Sequence, residues 1–387
     1  MNFATETTSE LKRLSDEIKR GTRVVSLSGL TSIAAKAFVI SELSRAAAAE
    51  KSFVVVADTN RELETWECDL DFFRSKFQIP NSKTGESETR NPESKIWNLP
   101  SFETDVYSGI SPHAETQETR ALTLWRLAQN QPDFLIVSAK SLVTKTLPPN
   151  QMKNLGAHLK RDADFAPEDL IEKLIACGYV REEPLKSVGE FSVRGGIIDV
   201  WSPVQENPVR LEFFGDTIDS IREFDAETQL SIKQLTEISV APMREFSATE
   251  KDFKDWAFFA REKFAEEKFA RNLKDRTQFA EEGEDFSGWE FLIPLVNQRN
   301  ASVFDYLKDA VFVVDEPTLV EQTLSNFYET IERRFAEITE ADDIGLNPNE
   351  LFLDGATLRE KFTEKQRVEL RALGRTAAQT DEEFQTA

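Results

Sequence analysis

The sequence predicts a mixed α/β protein made of an α/β lobe, an α+β domain and a charged helical return segment. Three observations lead there. Up to residue 149, short apolar runs alternate with amphipathic stretches of helical length, as in a doubly wound lobe with a parallel sheet. From 150 to 240 one amphipathic stretch is followed by short alternating strands separated by polar turns. Beyond Pro242 the chain becomes helical and highly charged, apart from the apolar run at 311–314.

In the first segment, an amphipathic helix near 8–19 leads into a strand at 23–27 and then SGLTSIAAKAFV, the order of a strand, glycine turn and helix. A phosphate-binding loop needs GxxxxGK[ST], because glycine amides cradle the phosphates, lysine reaches the terminal ones and a hydroxyl holds magnesium. After Gly29, Ala34, Ala35 and Lys36 stand where Gly, Lys and Ser/Thr are needed, so the lysine is displaced by one position. Gly29, Thr31 and Lys36 therefore read as a structural turn, with a divergent nucleotide loop as the alternative. A second strand at 53–58 precedes a helix at 60–73, and the polar stretch 81–94 reads as a loop. A strand at 96–99, a connection at 102–112, a helix at 115–128, a strand at 134–139 and a short helix opening at 141–146 complete the half-lobe, which Pro148-Pro149 ends.

The second segment opens with a helix at 167–178, whose Leu170, Ile171, Leu174 and Ile175 share one side. In the strand at 208–214, alternation puts Val209, Leu211 and Phe213 on one face and Arg210, Glu212 and Phe214 on the other. Gly215-Asp216 suits a tight turn into the strand 217–224, since glycine accepts positive φ. Upstream, Arg194 stands beside Gly195 and Gly196, where a second molecule can approach the backbone closely.

In the third segment, Phe253, Trp256, Phe264 and Phe269 lie in a charged helical stretch and read as core aromatics. Stretches 289–295 and 311–314 read as buried. The latter runs into Asp315-Glu316, a pair that can coordinate magnesium in a nucleotide hydrolase but that also occurs at ordinary strand ends. A long helix follows at 318–335, the part after Asp342 is mixed, and 376–387 reads as disordered.

Composition excludes several functions. Among 387 residues, 69 acidic side chains face 47 basic ones, a net charge of −22, which repels phosphate backbones from the surface as a whole. Cys68 and Cys177 form no zinc spacing or disulfide framework, and two histidines make His-based metal or catalytic sites unsupported. No apolar run is long enough for a membrane span, and the N-terminal stretch lacks the core of a signal peptide, so a cytoplasmic location is expected.

The ordered stretches LPSFETDVYSGISPHAETQETR, FLIVSAKSLVTKTLPP, GYVREEPLKSVGEFSVRGGIIDVWSP, RLEFFGDTIDSIREFDAETQ and FVVDEPTLVEQ resemble the N-terminal portion of the bacterial transcription-repair coupling factor family (Mfd). That portion is in turn similar to the excision-repair subunit UvrB. The resemblance extends to about Arg334, and VRGGIIDVW with LEFFGDTIDSIREFD is its most specific part.

The resemblance implies a RecA-like, degenerate P-loop lobe formed by 1–149 and 241–375, interrupted by an α+β UvrA-interaction domain at 150–240, with a tail at 376–387. It places Arg181 and Arg194 at arginine positions of the UvrA-contacting surface, with Phe191 supplying apolar contact nearby. Departures from UvrB are equally specific. Ser192 replaces a frequent arginine, no histidine follows Asp315-Glu316 as in a helicase motif, and 102–112 is too short for a DNA-clamping hairpin. The expectation is a non-catalytic adaptor for UvrA without a cofactor of its own. RNA polymerase, DNA, ATP and magnesium would be handled by domains outside this chain. The alternative is a divergent ATP-hydrolysing lobe using Lys36, Asp315 and Glu316.

Overall fold

The computed structural model describes residues 3–46, 51–76 and 95–373, with side chains for 11–46, 51–75 and 95–373. The loop expected at 81–94 and the tail at 376–387 lie outside the described residues. The chain forms strands β1 (Val24–Ser28), β2 (Ser52–Ala57), β3 (Ile96–Leu99), β4 (Phe134–Ser138), β5 (Ala157–Lys160), β6 (Val180–Arg181) and β7 (Glu190–Arg194). These are followed by β8 (Ile197–Val200), β9 (Val209–Phe214), β10 (Thr217–Phe224), β11 (Ser231–Leu235), β12 (Glu237–Val240), β13 (Ala310–Asp315) and β14 (Gln366–Arg371).

Six strands in the order β1-β14-β13-β2-β4-β3 make one sheet, and every neighbouring pair is parallel. Such a sheet needs cover on both faces, because its strands are apolar on both. Phe53, Val55, Phe134, Ile136, Val311 and Val313 face one core with Ile18, Ile40 and Trp66 from the helices Phe3–Lys19, Ile33–Ala46 and Leu63–Lys76. Val54, Val56, Leu135, Val137, Phe312 and Val314 face the other. That face is covered largely by the return segment, through the helices Glu250–Lys263, Ala270–Glu282, Pro317–Glu340 and Gly355–Thr363. Phe253, Trp256, Phe264 and Phe269 are buried in it, as core aromatics.

Two features depart from the pattern expected of the sequence. Pro148-Pro149 does not end the lobe: Pro149 starts the helix Pro149–Leu155, where its fixed φ suits the first turn, and Met152 and Leu155 join the lobe core. The boundary expected after Pro149 therefore shifts to Gly156. The stretch after Asp342 yields β14, which lies between β1 and β13. Its sequence, QRVELR, conceals a central strand because Arg367, Glu369 and Arg371 compensate one another: Glu369 is buried and lies 3.5 Å from Arg367 Nε and 3.3 Å from Arg371 Nη2.

The inserted domain holds a six-stranded sheet in the order β11-β10-β9-β8-β7-β6, antiparallel except for β6 on β7, and a two-stranded β5–β12 sheet. Its inner face packs on Leu170 and Leu174 of the helix Pro167–Ala176. Where the chain returns to the lobe, Glu245, in the irregular segment after β12, meets Arg120 in a buried ion pair, which fixes that segment against the helix Ala114–Leu127.

Candidate functional site

The outer face of the inserted sheet is polar because strand alternation sends Phe191, Val193, Ile198, Val200, Val209 and Leu211 inward. The register then builds two rows across the strands. One is Ser192, Asp199, Arg210 and Arg222, the other Arg194, Ile197, Glu212 and Ser220. Asp199 is 2% exposed and joins the arginines: its Oδ2 accepts from Arg194 Nη2 at 2.5 Å, while Arg210 donates from Nε and Nη2 at 2.7 and 2.9 Å. Hydrogen bonding to Asp199 raises the Arg210 pKa above its ordinary value. Glu212 accepts in turn from Arg222 and from Ser220 Oγ.

This lattice holds Arg194 with its head half in solvent; the side chain is 43% exposed, with Nε 3.7 Å from Glu183. Fixing a guanidinium beforehand reduces the rotamer entropy lost when it binds a carboxylate. Arg181 is exposed on the edge strand β6, in register with Phe191. Phe191 corrects the expectation from the family resemblance: its side chain is 0% exposed, so it supports the domain core and offers no surface contact. The signal was in the strand itself, since Phe191 and Arg194 are three residues apart and period-2 alternation puts them on opposite faces. Asp199 and Arg210 were missed as organisers because their meeting depends on the pairing of β8 with β9.

In the lobe, the structure brings Lys36, Asp315 and Glu316 together at the C-terminal ends of the strands. Lys36 Nζ is 2.5 Å from Asp315 Oδ1 and 2.7 Å from Glu316 Oε1, and the lysine is only 4% exposed. Two further donors reach the carboxylates. Trp66 Nε1 donates to Asp315 Oδ2 at 3.2 Å, and the amide of Ala372 donates to Glu316 Oε1 at 2.7 Å. Burial lowers the lysine's pKa, but hydrogen bonds and charge from the two carboxylates outweigh it, so Lys36 is held charged above its ordinary value. Burial and the neighbouring Glu316 push Asp315 upward against the opposing pull of Lys36.

Gly29, with φ of +91°, makes the turn after β1, but its amide already donates to the Arg371 carbonyl at 3.0 Å. Thr31 is exposed and enters no part of the cluster. The arrangement is an ion-pair cluster in which the lysine meets carboxylates of its own chain. Among the described residues, no group of three or more His, Cys, Asp or Glu side chains is arranged to hold a metal ion. No helix among them is long and apolar enough to cross a membrane.

Comparison with known proteins locates the inserted domain independently. Residues 157–246 match the family model described as the UvrB interaction domain. The chain is 31% identical to the transcription-repair-coupling factor of Myxococcus xanthus over 356 residues, covering 90% of this chain and 28% of that protein. It is 28% identical to the transcription-repair-coupling factor of Haemophilus influenzae over 276 residues, 71% of this chain and 24% of the relative. For the same-named protein of Staphylococcus aureus the identity is 29% over 231 residues, 57% of this chain and 20% of the relative. The chain thus spans about a quarter of the length of these relatives. The resemblance seen in the ordered motifs is borne out over most of the chain.

Proposed function

We propose that this chain, similar to transcription-repair-coupling factors and carrying a match to the UvrB interaction domain, is a non-catalytic adaptor that recruits UvrA for transcription-coupled nucleotide excision repair. The observation that carries the reading is Arg194, held half-exposed on the outer face of the inserted sheet by Asp199, with Arg181 exposed on the edge strand β6 of the same sheet. Guanidinium groups ordered in this way suit a partner that presents carboxylates, through charge-assisted hydrogen bonds. The lobe is read as RecA-like and degenerate, a scaffold in which Lys36 neutralises Asp315 and Glu316 in place of phosphate. ATP-driven work, and contacts with RNA polymerase and DNA, are assigned to parts of such factors outside this chain. A cytoplasmic location accompanies that role.

The test is calorimetric titration of the chain with purified UvrA, beside an Arg181→Glu/Arg194→Gln double variant, with ATP binding measured on the same preparation. Glutamine is chosen at 194 because a carboxylate there would repel Asp199 and disturb the lattice. Binding that the variant loses, without ATP affinity, supports the adaptor. ATP binding without UvrA binding overturns it in favour of a divergent hydrolase.

A further inference from the structure

We infer that Phe214, at the tip of the β9–β10 hairpin, is the apolar anchor of the docking face, and that it enters an apolar recess in the partner beside the acidic groups that meet Arg194. This inference rests on the proposed UvrA docking. It names the aromatic contact that buried Phe191 does not supply.

Phe214 is 85% exposed, more than any other described large apolar residue of the inserted domain, Leu230 at 68% and Val180 at 56% included. Its neighbours on β9 obey the alternation: Val209 and Leu211 are fully buried, and Phe213 packs against the same core. Phe214 therefore continues the outward row of Arg210 and Glu212. The ring makes no aromatic or cation–π contact with another described residue. The two-residue turn needs positive φ at Gly215, which is +62°, and is followed by the Phe214↔Thr217 pair. Nothing in that turn requires an aromatic before the glycine, so a polar strand residue would serve the hairpin as well.

The position of the ring relative to Arg194 makes the two a single surface. Arg194 pairs with Ile197 and Ile197 with Glu212, so Arg194 lies two strand spacings from β9 on the outward face. Phe214 is two residues beyond Glu212, which places the two backbones about 12 Å apart. A single contact patch of ordinary size covers both. Between them runs the Gly195-Gly196 turn, held to β9 by the Phe213 amide donating to the Gly196 carbonyl at 2.8 Å. A Cβ on Gly195 would meet nothing within 4 Å, and one on Gly196 would come to 3.0 Å from the Phe213 carbonyl oxygen. The turn is thus bare backbone on its open side, where a partner can settle between a cationic and an aromatic contact. Aromatic and arginine side chains are the types that most often carry binding energy in such patches.

The experiment is titration of the full chain with purified UvrA, using Phe214→Ala, Phe214→Thr, Phe214→Leu and Arg194→Gln, with urea unfolding of each as a folding control. Loss of affinity by a factor of about ten or more in Phe214→Ala and Phe214→Thr, partial recovery in Phe214→Leu and unchanged unfolding midpoints are expected. Wild-type affinity in both Phe214→Ala and Phe214→Thr, with binding lost in Arg194→Gln, would overturn the anchor and leave the docking face in place. Failure of the unsubstituted chain to bind UvrA would remove both.

Discussion

Nε and Nη2 of Arg120 both lie 2.9 Å from Oε2 of Glu245, and each side chain is 1% exposed. The pair joins a lobe helix to the irregular segment that leaves the inserted domain after β12. Arg120 also donates to the Pro100 carbonyl at 2.7 Å and lies 4.3 Å from the Phe102 ring centroid, while Arg299 Nη1 stands 3.9 Å from Glu245 Oε1. Burial pushes Arg299 down to about 10, with Glu245 opposing that fall. Glu245 is thus the carboxylate between two buried guanidinium groups.

Glu245→Gln should therefore be severe, because it leaves two buried cations without their shared counter-charge. A loss of about 3 kcal/mol or more in urea unfolding is expected. A change below about 1 kcal/mol would show that the pair does not hold the exit segment.

Lys36→Met should destabilise the lobe by about 3 kcal/mol at pH 7, since Asp315 and Glu316 would then be adjacent without a cation. The deficit should shrink on acidification. Burial raises the Asp315 pKa, so this carboxyl gains its proton earlier in the folded chain than in the unfolded one and its repulsion fades as pH falls. Unfolding curves of both proteins at pH 5 and pH 7 measure the difference. A deficit that grows in acid contradicts the ion-pair account.

On the inserted domain, Asp199→Ala should cost about 2 kcal/mol, because Arg194 and Arg210 lose the acceptor they share. Arg194→Gln should cost under about 1 kcal/mol, as Asp199 keeps both bonds from Arg210. Equal losses from the two substitutions would argue against Asp199 as the organiser.

The two cysteines should differ in reactivity. Cys68 is exposed, whereas Cys177 is buried, donates to the Leu155 carbonyl at 3.2 Å and has its pKa pushed up to about 11 by burial. Native protein should consume one equivalent of a thiol reagent quickly and the second only on unfolding. With the folded pKa above the unfolded value, the stabilising contribution of Cys177 is complete below about 9 and is lost as pH rises towards about 11. Fast labelling of both thiols in the native state would contradict its burial.

The sequence by itself determined the elements that carry a local period. The apolar runs of β2, β4 and β13, the helix Pro167–Ala176 and the strand Thr217–Phe224 were legible because burial on one face or two leaves a direct trace in residue order. Alternation also sorted Arg210, Glu212 and Phe214 outward, and applied to β7 it places Phe191 opposite Arg194. Only the tertiary structure decided which outward residues meet. Asp199 gathers Arg194 and Arg210 through strand register, and the charged β14 becomes a central strand once Arg367 and Arg371 compensate Glu369. Lys36 reaches Asp315 across 279 positions of chain. Pairings of this kind depend on where strands lie beside one another after the chain has packed, and no periodicity within a single segment records them.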